Sequence, residues 1–294
     1  MLVRQSHSGK ENDMQRRHAL GIFSGAAAAP LILSARTART DHHTLLDAGS
    51  QADRAVIYRK LNYTYDDRLV VWYIQARRNG LVDSKFTPFW DMNVGFISTV
   101  RDISDDEYEV KTLSAIFYTD IETGVLLDTF NNPYTGETVA IRPPRLGNST
   151  RRYVSSGMVS DRASREGYDM SQYGNIGPAW VIGDDVWIQG DTGFRAEPTT
   201  SEGQLSVVND WFTFHGSISD VSDPDVKSAS ATQAFNDINT WPGFLNMGGI
   251  AGNYVSRGFG RKVSDVSEMP EVWQRLMKDL FPAAYRDPRS ALEG

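Results

Sequence analysis

The stretch FYTDIETGVLLDTFNNPYTGETVAIR, Phe117 to Arg142, reads as three short strands joined by two polar turns. Each turn holds a Thr-Gly pair, Thr123-Gly124 and Thr135-Gly136. Glycine adopts positive φ without steric penalty and so suits tight turns between strands. Asp120, Asn131, Asn132 and Pro133 supply further turn chemistry. The residues between are apolar or β-branched, which suits a pleated, half-buried surface. This meander is expected to form the centre of an antiparallel sheet.

Outward from it, Tyr108–Tyr118 reads as a long strand entering the meander, and Asp102–Glu109 as an acidic turn. Arg68–Ala76 (RLVVWYIQA) is a strand ending at an Asn79-Gly80 turn, and Trp90–Val100 (WDMNVGFISTV) is the next. Downstream, Arg151–Tyr173 is polar and mixed and is expected to be a long surface excursion of the kind that often acts as a lid. WVIGDDVWI, Trp180–Ile188, is a hairpin, and SVVNDWFTFHG, Ser206–Gly216, a strand. Asp220–Asn239 reads as a loop or weak helix, and the Gly-rich Trp241–Gly260 as a bent strand or a close backbone approach. Leu45–Leu61 is a candidate helix. The clearest helix is Ser267–Phe281, where Trp273, Leu276, Met277 and Leu280 fall on one face. Pro270 stands near its start and Pro282 at its end. About eight to ten strands with turns between them predict one antiparallel barrel, lipocalin-like with interior ligand space, or else a two-sheet sandwich. The C-terminal amphipathic helix would plug the sheet or pack on it. Residues 41–294 are read as a single domain.

Two blocks carry a resemblance. One is Asn132-Pro133-Tyr134-Thr135-Gly136-Glu137 with the preceding Tyr118-x-Asp120 and Thr123-Gly124. The other runs from Trp241-Pro242 through Met247-Gly248, Gly252, Gly260 and Lys262 to Met269-Pro270. Together they resemble the family catalogued as domain of unknown function 1838, over most of the chain after about residue 50. The family implies no catalytic residues.

Composition sets bounds on chemistry. The net charge is −7; the first forty residues contribute +4, which leaves −11 on the body. An acidic body disfavours nucleic acid, whose binding relies on a basic face and counterion release. The absence of cysteine excludes disulfides, thiolate metal ligation and a Cys nucleophile. No P-loop, dinucleotide fingerprint or Gly-x-Ser-x-Gly elbow occurs. No cofactor motif and no metal-ligand spacing is recognisable. Arg16-Arg17 before the Ala- and Gly-rich run Ala19–Leu33 has the layout of a twin-arginine export signal, so residues 1–40 are read as a signal segment and the mature protein as periplasmic or secreted. The run is too short for a stable transmembrane span.

Candidate site residues follow from strand spacing. Trp211, Thr213 and His215 share one strand face. If that face is a cavity wall, His215 is a general base beside an aromatic platform; a hydrogen-bonded His at a strand end is the alternative. Asp91 and Asn93 share a face of another strand, where Asp91 would serve as acid or base and Asn93 would contact the substrate. Tyr118, Trp180, Trp211 and Trp241 are candidate walls for a flat apolar molecule, and Arg257 and Lys262 candidate anchors for an anionic group. The expected partner is a small apolar or aromatic molecule, acted on without cofactor by a lyase, isomerase or hydrolase; the alternative is a non-catalytic small-molecule or carbohydrate-binding protein. The oligomeric state is not legible.

Overall fold

A computed structural model describes residues 44–165, 167–200 and 203–293. In chain order the helix α1 (Gln51–Asn62) is followed by β1 (Val70–Val82), β2 (Lys85–Asp102) and β3 (Tyr108–Thr119). A small hairpin, β4 (Thr129–Asn131) and β5 (Thr138–Ala140), comes next. Then come β6 (Leu146–Val154), β7 (Gly157–Arg165), β8 (Tyr168–Ile182), β9 (Asp185–Pro198) and β10 (Ser206–Ser217). After α2 (Ile218–Ser222) lie β11 (Thr232–Asn239) and β12 (Asn253–Val263), and the chain ends in α3 (Glu271–Leu280), α4 (Pro282–Arg286) and α5 (Pro288–Glu293). All strands but β4 and β5 close into a ten-stranded antiparallel barrel, in the order β1-β12-β11-β10-β9-β8-β7-β6-β3-β2. Closure gives every barrel strand two neighbours, although β6 and β7 meet over only two residue pairs, Tyr153–Met158 and Val154–Gly157. The barrel reading is thus borne out and the sandwich set aside.

Strand alternation decides what faces inward. On β1, Trp72 and Ile74 join clusters with Phe214 and Phe235 inside the barrel. Val71 and Tyr73 point the other way, into a cluster with Trp273 and Met277 of α3. The C-terminal helix therefore packs on the outside of the wall. It can approach because Gly95 lies beneath it: a Cβ there would come within 2.4 Å of the Trp273 ring. The plug is α1. Its N-cap is Ser50, whose hydroxyl accepts from the Asp53 amide at 3.3 Å. Its far half inserts Ile57, Tyr58 and Leu61 among Trp72, Tyr153 and Phe214 at one end of the barrel. At the other end, the β4–β5 hairpin and the segment around Trp241–Ile250 pack on Trp90 and Tyr254. Asn132 ties the two together through its amide to the Leu245 carbonyl at 2.7 Å.

Four sequence expectations need correcting. The meander at 117–142 is no sheet centre: after β3 it leaves the barrel and forms the end cap, with β4 and β5 only three residues each. Its short apolar runs pack as a lid cluster, not as wall. The Asn79-Gly80 turn does not form; both residues lie within β1 beside a register shift, and the chain reverses at Asp83 and Ser84, both at positive φ. Residues 151–173 are not a surface excursion but barrel wall, in β6, β7 and β8. Residues 232–239 are not loop or weak helix but the strand β11. Arg151 of β6 and Gln233 and Asp237 of β11 are polar residues at interior positions, which breaks the apolar alternation that marks a strand.

Candidate functional site

The barrel interior holds a cavity of about 280 Å³ between α1 and the middle of the wall. Trp72 of β1, Phe96 of β2, and Phe212 and Phe214 of β10 supply flat apolar faces. Tyr58 and Asn62 of α1 close it from above, and Tyr153 of β6 borders it. Ser98 and Thr112, which share a 2.9 Å hydrogen bond across β2 and β3, add polar lining. Arg151 of β6, Asp210 of β10 and Gln233 of β11 complete it.

Register places a polar belt around the inner wall. Arg78 lies opposite Ser256, Ser256 opposite Asp237, Asp237 opposite Asp210, and Asp210 opposite Thr192. Arg78 and Asp237 form a buried ion pair. The Arg78 guanidinium also sits over the Tyr254 ring, 4.5 Å from its centre. Several buried polar atoms of this region lack a hydrogen-bond partner: Gln233 Oε1, Asp237 Oδ1 and Ser256 Oγ among them. Such atoms are costly unless something else satisfies them.

The electrostatics of the cavity rest on two groups. Burial, reinforced by the neighbouring Asp237 charge, pushes the Asp210 carboxyl up to about 7, against the opposing pull of Arg78 and Arg151. Partial desolvation lowers the Arg151 pKa, but Tyr153, Tyr63 and Asp210 outweigh it and hold the pKa above the ordinary arginine value, although much of the residue is accessible. Tyr63 and Tyr153 share a 3.0 Å hydrogen bond. Burial raises Tyr58, Tyr63 and Tyr108 well above the usual phenol range, so these remain neutral donors. A carboxyl near neutrality beside aromatic faces is able to exchange a proton with a bound molecule.

None of the residues predicted from strand spacing lines this cavity. Trp211, Thr213 and His215 do share a face, as expected, but it is the outer one; the intervening Phe212 and Phe214 point inward. His215 stacks on Trp187 at 4.9 Å, its Nε2 lies 2.8 Å from Asp185 and its Nδ1 3.3 Å from Thr232. It lines an outer groove of about 660 Å³ with Phe259 and Arg261. Trp211 and Trp180 are exposed. Asp91 pairs with Arg77 at 2.8 Å on the outside. Asn93 is buried there, accepting from the Tyr73 hydroxyl at 2.9 Å and donating to Thr119 at 3.1 Å. Arg257 is exposed on the outer face, opposite Arg77.

Tyr118 and Trp241 belong to the far end cap, where Trp241 donates to the Ile250 carbonyl at 3.1 Å. Lys262 faces inward but serves α1: its Nζ donates to the Lys60 carbonyl at 2.8 Å, the Tyr63 carbonyl at 3.2 Å and the Ser228 hydroxyl at 3.1 Å. Desolvation, aided by Arg68, brings its pKa down to about 7. The residues that reasoning from sequence missed are Arg151, Asp210, Gln233 and the Arg78–Asp237 pair. One signal was present: Asp210 falls at the same parity as Phe212 and Phe214, a carboxylate in step with two buried rings.

The fold and cavity define a closed antiparallel β-barrel with a polar, aromatic-walled interior. Residues 197–294 match the model of the family described as "Protein of unknown function (DUF1838)", in agreement with the resemblance carried by the Trp241–Pro270 block. That match includes Asp210, Gln233, Asp237 and Ser256. No curated protein matches the chain, and no solved structure does. Among the described residues, no helix is long and apolar enough to cross a membrane. The signal reading falls on residues outside those described.

Proposed function

We propose that the protein binds a small aromatic molecule inside the barrel and that Asp210 exchanges a proton with it. The observation that carries this reading is the cavity itself. It combines flat apolar walls, Trp72, Phe96 and Phe212, with convergent polar groups, Asp210, Arg151 and Gln233, in one space inside a closed barrel. That combination is what small-molecule sites present. A barrel core built only for stability would be filled with apolar side chains. Acid/base chemistry moves from the outward His215 and Asp91 to Asp210, because general catalysis requires the group within hydrogen-bond reach of the substrate.

Native mass spectrometry of the full chain, purified gently from its own host, tests the reading. The expected result is an extra mass that leaves on denaturation and is missing in a Ser98→Trp variant whose indole fills the cavity. Retention of the same mass by that variant would place the ligand elsewhere. A clean apo mass, with no response of tryptophan fluorescence to small aromatic compounds, would overturn it. Conversion of the released molecule by wild-type protein but not by Asp210→Asn assigns the proton transfer. Binding without conversion in the wild type assigns a carrier, the second reading that the same cavity supports.

A further inference from the structure

Resting on that cavity reading, we infer that the ligand is a small organic anion, a flat ring bearing a carboxylate or equivalent group, with its charged end at Arg151 and its opposite edge at Asp210. Among the described residues, the other cations in or beside the barrel interior are already engaged. Arg78 is paired with Asp237, Arg59 of α1 with Asp102 at 2.6 Å, and the inward Lys262 is held by the Lys60 and Tyr63 carbonyls. Arg151 is different. Among the described residues no carboxylate lies within 4.0 Å of its guanidinium, although it lines the cavity. Asp210 likewise has no cation within that distance among the described residues. Among the described residues the cavity therefore lacks a close ion pair for one cation and one carboxyl, which line it together with Trp72, Phe96 and Phe212 and lie near enough to bias each other's charge.

Arg151 keeps an accessible guanidinium at the cavity with Tyr153 as a neutral neighbour, and a carboxylate is the partner whose planar geometry it fits. The rings on either side accept a flat molecule by stacking or edge contact. Asp210 faces Asp237 on β11, Arg78 on β1, Arg151 on β6 and Thr192 on β9. Its proton occupancy changes near neutrality, so an anion meets a neutral donor at lower pH and a like charge at higher pH. A ligand anchored at Asp210 alone would instead be a cation.

The test is calorimetric titration of the full chain with three probes sharing one ring: benzoate, benzyl alcohol and benzylamine. The inference expects benzoate to bind about tenfold tighter than benzyl alcohol. Arg151→Gln should remove that preference while benzyl alcohol binding remains measurable, and an unchanged circular dichroism spectrum reports that the variant is folded. Arg151→Lys should keep part of the preference. Benzoate affinity in the wild type should rise as pH falls through about 7. Equal binding of benzoate and benzyl alcohol, or tighter binding of benzylamine, overturns the anion and leaves the cavity reading standing. No binding of any of the three overturns both.

Discussion

Asp210 is a carboxyl placed where one is unfavourable. Two residues further on, Phe212 faces the same cavity, and the neighbouring strand presents Asp237 directly opposite. Its pKa is pushed up to about 7 by desolvation first and Asp237 second. Between about pH 4 and 7 the folded chain holds a proton there that the unfolded chain has released. Stability is therefore highest at the acid end of this window, falls as pH rises through it, and carries the full penalty above about 7. Asp210→Asn should flatten the dependence across that window and raise the melting temperature on its alkaline side, by about 2–4 °C for each kcal/mol relieved. Thermal melts at a series of pH values decide this; an unchanged slope would assign the penalty to another group. At this scale sequence reasoning chose the wrong parity on β10. Both faces of the strand carry aromatic rings, so nothing local separates Trp211 and His215 outside from Phe212 and Phe214 inside.

Among the elements, α1 is the one whose role the sequence concealed. As a helix it was legible between residues 45 and 61, but its stripe was not clean, because a plug meets protein on more than one side. Gly216 and Gly190 make room for it: a Cβ at the first would lie 2.5 Å from Leu61, and at the second 2.6 Å from the Tyr58 ring. Lys262 holds its end by two hydrogen bonds, to the Lys60 and Tyr63 carbonyls, and is itself braced by the Ser228 hydroxyl. Helix ends leave carbonyls unsatisfied, and here a β12 side chain reaches across to satisfy them. Lys262→Met, similar in length but without donors, should lower stability by about 1–3 kcal/mol in urea unfolding. Because the folded pKa is depressed to about 7, the buried charge weighs against the wild type at lower pH, so the loss should grow as pH rises above that value. Hydrogen exchange should quicken in α1 while β2 and β3 stay protected; uniform exchange throughout would mean that α1 is not separately held. The helix α3, by contrast, was read nearly in full, since it lies on the barrel with one apolar face down and the other in solvent.

For the whole molecule, the closed barrel and its end caps are consistent with a chain exported folded, and Arg16-Arg17 ahead of a weakly apolar run is the feature that argues for that route. Replacing Arg16→Lys and Arg17→Lys together should leave the protein in the cytoplasm, as read by cell fractionation with an antibody against the body. Normal export of the double variant would remove the twin-arginine reading without touching the cavity. The charge balance belongs to this scale as well. An excess of acidic groups over the body coexists with an unmatched arginine inside, so the surface charge does not forecast the chemistry of the interior.

The sequence by itself determined the antiparallel β class, most wall strands, the turns at Gly183-Asp184 and Asp102–Glu109, and the C-terminal helix with its proline boundaries. These follow from local rules: β-branched and aromatic runs, turn residues, and one-sided apolar periodicity. Only the tertiary structure decided that the strands close into a ten-stranded ring, that the Thr-Gly meander caps its end, and that α1 rather than α3 fills its mouth. Only it brought Arg151 and Asp210 to the same cavity from strands some sixty residues apart. The physical reason is parity. Each strand offers two faces, and which one becomes interior is set by register with its neighbours around the closed ring. Where the interior is polar, hydrophobic pattern cannot announce it.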